Sequence, residues 1–246
     1  MIKEEIKIYR DAATLSEGLT AFLTKLFDEF PYINIALSGG TTPQAVFDYW
    51  VENCRNTIDW RRISFFWGDE RCVPPDDAMS NYGTAVKHLF DKVVEIPKEN
   101  IFRIQGENDP EKETERYSKI LESNLKLCNN IPCFEIVLLG LGDDGHTLSI
   151  FPNQLSLWNS KKFCLTAEHP ESKMKRISIS GQVVNNAQYV AFLVTGKNKA
   201  EKVKDIIKNR EQFTDKYPAA KVNPTNGYLY WFLDAEAASL IINEST

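Results

Sequence analysis

Four short apolar runs in this chain break off into polar, glycine-bearing segments, and that repeated junction restricts the fold more than any other feature. Ile35-Ala36-Leu37 leads into Ser38-Gly39-Gly40-Thr41-Thr42-Pro43, and Phe65-Phe66-Trp67 leads into Gly68-Asp69-Glu70-Arg71. Val137-Leu138-Leu139 leads into Gly140-Leu141-Gly142-Asp143-Asp144-Gly145-His146, and Phe192-Leu193-Val194 into Thr195-Gly196-Lys197-Asn198-Lys199. Runs this short and this apolar read as strands buried on both faces. The segments between them carry apolar residues at helical spacing, so strands alternate with helices. That alternation predicts an α/β domain with a largely parallel central sheet. Parallel strands end on one common edge, and ligands of open α/β sheets bind at that edge. The four polar segments, up to about 150 residues apart in sequence, are therefore expected to meet in one crevice.

The remaining pattern fills in the elements. Leu15, Leu19, Phe22, Leu23, Leu26, Phe27 and Phe30 predict a helix over residues 11–30 with one buried face, preceded by a strand. Thr41-Thr42-Pro43 gives a helix start, with proline tolerated in the first turn, and Ser80 is a candidate cap for a helix carrying Val86, Leu89 and Phe90. Further strands are expected at 33–37, 63–67, 101–104, 134–139, 163–167, 176–180, 189–194 and 228–233. Further helices are expected near 110–128 and 199–208. No repeat, low-complexity tract or linker divides the 246 residues, so one domain over 1–246 is expected.

Composition removes several function classes. Lys+Arg 29 against Asp+Glu 34 leaves a formal net charge of −5, which disfavours wrapping nucleic acid or coating an anionic membrane. Cys54, Cys72, Cys128, Cys133 and Cys164 form no C-x-x-C pair, a scatter that suits reduced thiols better than disulfides or zinc. The amino terminus lacks the apolar core of a signal peptide, and no apolar run is long enough to span a bilayer. A cytoplasmic protein without nucleic-acid or membrane partners is expected, as a monomer or small homo-oligomer.

The chemistry lies in the four segments. Ser38, Gly39, Gly40, Thr41 and Thr42 sit between a strand and a helix, where free amides and hydroxyls suit an anion such as phosphate; read alone, the segment also fits an ordinary turn. Neither G-x-x-x-x-G-K-[ST] nor G-x-G-x-x-G is present. Arg71 at the crevice edge is suited to a phosphate or carboxylate, with Asp69 or Glu70 placed to orient it; a solvated loop is the alternative. His146 follows two carboxylates in a loop with three glycines, which fits a general base held by Asp144. His88 and His169 fit structural or exposed positions better. Arg176, Lys197 and Lys199 sit at strand ends where a phosphate needs countercharge. No His/Cys cluster accompanies the carboxylate pairs, so no metal is expected. No nucleophile elbow G-x-S-x-G occurs.

Taken together, Ser38–Pro43, Gly68–Arg71, Ser80-Asn81 and the block from Leu139 to Pro152 resemble the glucosamine-6-phosphate isomerase/6-phosphogluconolactonase family, on its 6-phosphogluconolactonase side. The likeness continues through Arg176-Ile177-Ser178, Gly196–Ala200, Pro218-Ala219 and Trp231–Asp234. It implies a single Rossmann-like three-layer domain. It also implies hydrolysis of 6-phospho-D-glucono-1,5-lactone to 6-phosphogluconate, the second step of the oxidative pentose phosphate pathway, without a cofactor. By position, His146 resembles the group that handles the water proton, with Asp144 beside it. Gly39 to Thr42, Arg71, Arg176 and Lys199 resemble the phosphate-binding set. Leu148, Ile150 and Asp143 stand where Ala, Leu and Glu are more usual, which bears on pocket shape.

Two rival functions remain at this stage. A deaminase acting on glucosamine 6-phosphate shares the D-G-H core but carries a glutamate five residues after the histidine, where this chain has Phe151. A sugar-phosphate sensor would tolerate loss of His146, and sensors of this kind normally add a basic DNA-binding segment that residues 1–30 do not provide.

Overall fold

A computed structural model describes residues 3–242 of the chain, so the expected domain span of 1–246 extends past the described residues at both ends. Strand β1 (Lys3–Tyr9) is followed by α1 (Ala12–Glu29), β2 (Ile33–Leu37), α2 (Thr41–Tyr49), β3 (Ile63–Trp67), β4 (Asp69–Arg71) and α3 (Asn81–Ala85). Next come β5 (Ile101–Phe102), α4 (Pro110–Asn124), β6 (Lys126–Cys128), β7 (Ile131–Cys133) and β8 (Ile136–Leu139). The chain ends with β9 (Cys164–Glu168), β10 (Lys175–Ile179), α5 (Gly181–Asn185), β11 (Tyr189–Val194), α6 (Ala200–Phe213), β12 (Tyr228–Asp234) and α7 (Ser239–Ile242).

Seven strands pair in parallel in the order β1-β12-β11-β8-β2-β3-β5, flanked by helices in a Rossmann-like α/β arrangement. The strands expected to be buried are so: every residue of β8 and β11 is buried, as are Phe65, Phe66 and Trp67 of β3. Helix α1 begins at a capping box between Asp11 and Thr14 and buries Leu15, Leu19, Leu23 and Leu26. Phe22 of the same helix packs on Tyr189, Tyr230 and Phe232 of the sheet. Removing such large aromatic and aliphatic side chains from water is the main force holding the layers together.

From β2 the chain proceeds to β3 and β5 on one side, and from β8 it proceeds to β11 and β12 on the other. Adjacent β2 and β8 thus form a topological switch point, and their carboxyl ends diverge to leave a crevice.

The strand expected over 101–104 stops at Phe102 and the helix expected near 199–208 continues to Phe213, and four larger departures follow. Residues 69–71 are not a loop after β3; they form β4, which pairs antiparallel with β10, itself paired with β9, in a second three-stranded sheet. The helix expected to reach residue 128 stops at Asn124, because 126–133 fold back as a β6-β7 hairpin turning through Asn129 and Asn130, both at positive φ. The helix after Ser80 tightens only as far as Ala85 and widens into a π turn over Val86–Phe90. The strand expected over 134–139 begins at Ile136, because the Glu135 carboxylate instead accepts the backbone and side-chain amides of Asn34.

Candidate active site

Gly142 sits directly beneath the imidazole of His146. A Cβ placed on it would stand 2.1 Å from His146 Nδ1, so only glycine lets the ring lie back on its own loop. The loop is closed by Gly142 N–H donating to the His146 carbonyl (2.8 Å), by Gly145 N–H donating to the Gly142 carbonyl (3.0 Å) and by the Thr147 hydroxyl donating to the Gly140 carbonyl (2.9 Å). Gly145 makes the turn at φ +87°.

His146 Nδ1 lies 2.6 Å from Asp144 Oδ1, which also accepts the His146 backbone N–H at 3.0 Å. A carboxylate only accepts, so in the neutral ring Nδ1 carries the proton and Nε2 keeps its lone pair. Partial burial pushes the Asp144 carboxyl up, but the ring bond, the charge of the imidazole and the backbone bond outweigh it and leave the pKa below the usual carboxylate range. Phe151, fully buried, packs against the imidazole with ring centroids 4.7 Å apart, and its ring also meets His169 at 5.1 Å and the Arg176 guanidinium at 5.7 Å.

A cavity of about 280 Å³ opens at the switch point, lined on the β2 side by Ser38, Gly39 and Gly40 and on the β8 side by Gly140–Asp143 and His146. Arg71 and Arg176 enter from the second sheet, where they are direct register partners on β4 and β10, and Lys199 enters from the turn after β11. The antiparallel pairing explains how Arg176, at the start of its strand, reaches the carboxyl edge of the parallel sheet. Burial lowers the Arg176 pKa, and the charge of Arg71 lowers it further against the nearby Asp69, Glu70 and Cys72. The Nε atoms of both arginines are buried without an acceptor. Two cations pressed together and short of acceptors favour entry of an anion.

Neither Asp69 nor Glu70 forms an ion pair with the Arg71 side chain within 4 Å among the described residues, which corrects the expectation that they orient its guanidinium directly; Glu70 acts on the Arg71 backbone. Arg71 Nη1 instead donates to the Met79 carbonyl at 2.5 Å. Buried Glu70 accepts the backbone amides of Arg71, Asn81 and Tyr82 at 2.7–2.8 Å and the Ser80 hydroxyl at 3.1 Å, tying β4 to the start of α3. Burial pushes its pKa up against these bonds, with the charge of Asp69 adding to the rise. Asp69, accepting from the Ser149 hydroxyl at 2.5 Å, lines the cavity together with Asn81 and Leu148. Sequence reasoning named Leu148 as bearing on pocket shape but gave Asp69 and Asn81 no place in the lining, although both stand inside segments it singled out. Conversely, Thr41, Thr42 and Asp144 do not line the cavity. The Thr42 hydroxyl lies 2.8 Å from that of Thr195, joining the first and fourth segments, and Asp144 acts on His146 from behind.

A larger open groove of about 1240 Å³ runs between residues 207–214 and 220–225, but its arginine, Arg210, is already used by Glu4 and the Val222 carbonyl, and no histidine lines it. The convergence of titratable groups therefore picks out the smaller cavity. Among the described residues no three His, Cys, Asp or Glu side chains gather to hold a metal ion, and no helix is long and apolar enough to cross a membrane.

The model of the glucosamine-6-phosphate isomerases/6-phosphogluconolactonase family matches residues 10–231. A 6-phosphogluconolactonase of Treponema pallidum is 41% identical over 198 residues, covering 79% of this chain and 80% of that protein. One from Haemophilus influenzae is 40% identical over 210 residues, covering 85% and 88%. The solved structure of the 6-phosphogluconolactonase from Trypanosoma brucei superposes with a TM-score of 0.85 at 28% identity, covering 97% of this chain and 99% of that one. A monomeric glucosamine-6-phosphate deaminase, 20% identical, shares the fold with a TM-score of 0.80. A match over nearly the whole chain, together with relatives at this level of identity, places the chain in the glucosamine-6-phosphate isomerase/6-phosphogluconolactonase family.

Proposed function

We propose that this chain is a 6-phosphogluconolactonase, hydrolysing 6-phospho-D-glucono-1,5-lactone to 6-phospho-D-gluconate in the oxidative pentose phosphate pathway, as one cytoplasmic domain spanning 1–246. The observation that carries the reading is one cavity lined by a histidine with Nδ1 pinned by a carboxylate and by Arg71, Arg176 and Lys199. A lactone is a cyclic ester, so catalysis requires an activated water and a place for charge on the carbonyl oxygen.

His146 Nε2 takes a proton from water as the water oxygen bonds to C1, and Asp144 steadies the imidazolium so formed. The carbonyl oxygen becomes an oxyanion, stabilised by the amides of the glycine loop. Collapse of the tetrahedral carbon breaks the bond to the ring oxygen, which leaves with the proton carried by His146. Arg71, Arg176, Lys199 and the amides of Ser38, Gly39 and Gly40 hold the remote phosphate, so that binding far from C1 positions the reacting carbon. Phe151 packs where the deaminases carry a glutamate, and a phenyl ring moves no proton.

The reading is tested by lactone consumption with the purified chain, corrected for spontaneous ring opening. A rate well above background with no ammonia released from glucosamine 6-phosphate is expected. A rate equal to background overturns the hydrolase reading, and ammonia release favours the deaminase.

A further inference from the structure

Of the three cations in the cavity, only Lys199 pairs with a carboxylate within 4 Å among the described residues, and its partner is Asp143. Asp143 Oδ1 takes both the Lys199 ammonium and the Asn198 side-chain amide, the latter at 2.8 Å. The Asp143 side chain is 70% exposed while that of Lys199 is 20% exposed, so the carboxylate reaches in from the rim.

We propose that Asp143 is an internal competitor for the phosphate subsite: it occupies Lys199 in the free protein and is displaced by the ligand's phosphate. This rests on the reading of Lys199 as a phosphate ligand. Asp143 is dispensable for the loop itself, because the Gly142–His146, Gly145–Gly142 and Thr147–Gly140 bonds already close it. A pair with an exposed carboxylate is weak and easily broken. A phosphate dianion that also faces Arg71 and Arg176 makes stronger, charge-assisted bonds and wins the ammonium. Asn198 keeps hold of the freed carboxylate, so it returns once the phosphate leaves. The chemistry gives a use for such a device. The phosphate is unchanged by lactone hydrolysis, so whatever tightens its binding also holds the product. A built-in competitor loosens substrate and product alike, which shows in KM and in product inhibition.

The test is calorimetric titration of inorganic phosphate into wild type, Asp143→Asn, Asp143→Glu and Lys199→Ala, alongside KM values for the phosphorylated lactone and for glucono-1,5-lactone. Asp143→Asn is expected to bind phosphate ~2–5-fold more tightly, with a similar fall in KM for the phosphorylated lactone and none for the unphosphorylated one. Asp143→Glu, which keeps the charge, is expected within about twofold of wild type. Unchanged or weaker phosphate binding by Asp143→Asn overturns the proposal, since a carboxylate that merely tethers Lys199 gives that result; equal tightening in Asp143→Glu also overturns it. Failure of the wild type to hydrolyse the lactone defeats the functional reading while the phosphate titration still reports on Asp143. Phosphate binding indifferent to Lys199→Ala removes the subsite itself.

Discussion

A single missing side-chain carbon holds the proposed base in place. With 2.1 Å between a Cβ on residue 142 and His146 Nδ1, Gly142→Ala forces the imidazole off its seat and away from Asp144. A displacement of about 1 Å at a reacting group costs on the order of 100-fold, so kcat is expected to fall ~10–100-fold. Steady-state kinetics, with circular dichroism to verify the fold, checks this. Asp144 supplies a second residue-scale prediction. Its folded-state pKa is depressed below the ordinary value of 3.8, so it contributes stability that is present above that value and lost as pH falls through the folded pKa. The difference in unfolding midpoint between wild type and Asp144→Asn is therefore expected at neutral pH and to vanish in acid below the usual carboxylate range. Because the side chain is 43% exposed, the difference is small. At this scale the sequence is informative for chemical reasons. Glycines at 140, 142 and 145 around a lone histidine are costly unless the backbone must turn and approach closely, so the loop advertises itself. Asp69 does not, because one acidic residue beside Glu70 and Arg71 reads equally well as a solvated loop.

Among the elements, the three-stranded sheet was the least legible and does the most to assemble the pocket. β4 is three charged residues with no apolar alternation, and its partner β10 lies about a hundred residues away, so no local pattern announces the pairing. What fixes β4 is buried Glu70, whose two oxygens receive four donors. Glu70→Gln replaces one acceptor oxygen with an N–H₂ group that faces donors. Leaving buried donors unsatisfied is expected to destabilise the protein by about 2–4 kcal/mol, read as a lower urea midpoint with an unchanged slope. Arg71 is expected to lose its register against Arg176 in the same variant, so phosphate affinity falls with stability. The strands of the central sheet, by contrast, are written plainly as short apolar runs, because a strand covered on both faces has no polar side to interrupt it. The hairpin over 126–133 has no local signal of its own, because Leu127 and Cys128 continue the helical spacing of Ile120, Leu121 and Leu125, and only the pair of left-handed asparagines turns the chain back.

At the level of the whole molecule, the order of the strands decides where chemistry is possible. Neighbours β2 and β8 send the chain in opposite directions, and the gap between their ends receives the glycine turn, the histidine loop, both arginines and the lysine. That four polar segments should share one edge follows from parallel strands alone and could be read from the sequence. That Arg176 should join them from an antiparallel strand could not. The site therefore combines a crevice supplied by topology with a cationic wall supplied by a second, smaller sheet. The division of labour within it is the claim on which the functional account turns. The most direct measurement compares the steady-state kinetics of His146→Ala and Lys199→Ala on the phosphorylated lactone. Loss of the base is expected to lower kcat ~10²–10⁴-fold with little change in KM. Loss of the ammonium is expected to raise KM ~10-fold or more, the value of one charge-assisted hydrogen bond, with a smaller effect on kcat. A His146→Ala enzyme that turns over at the wild-type rate, or one in which the two effects are exchanged, contradicts the account.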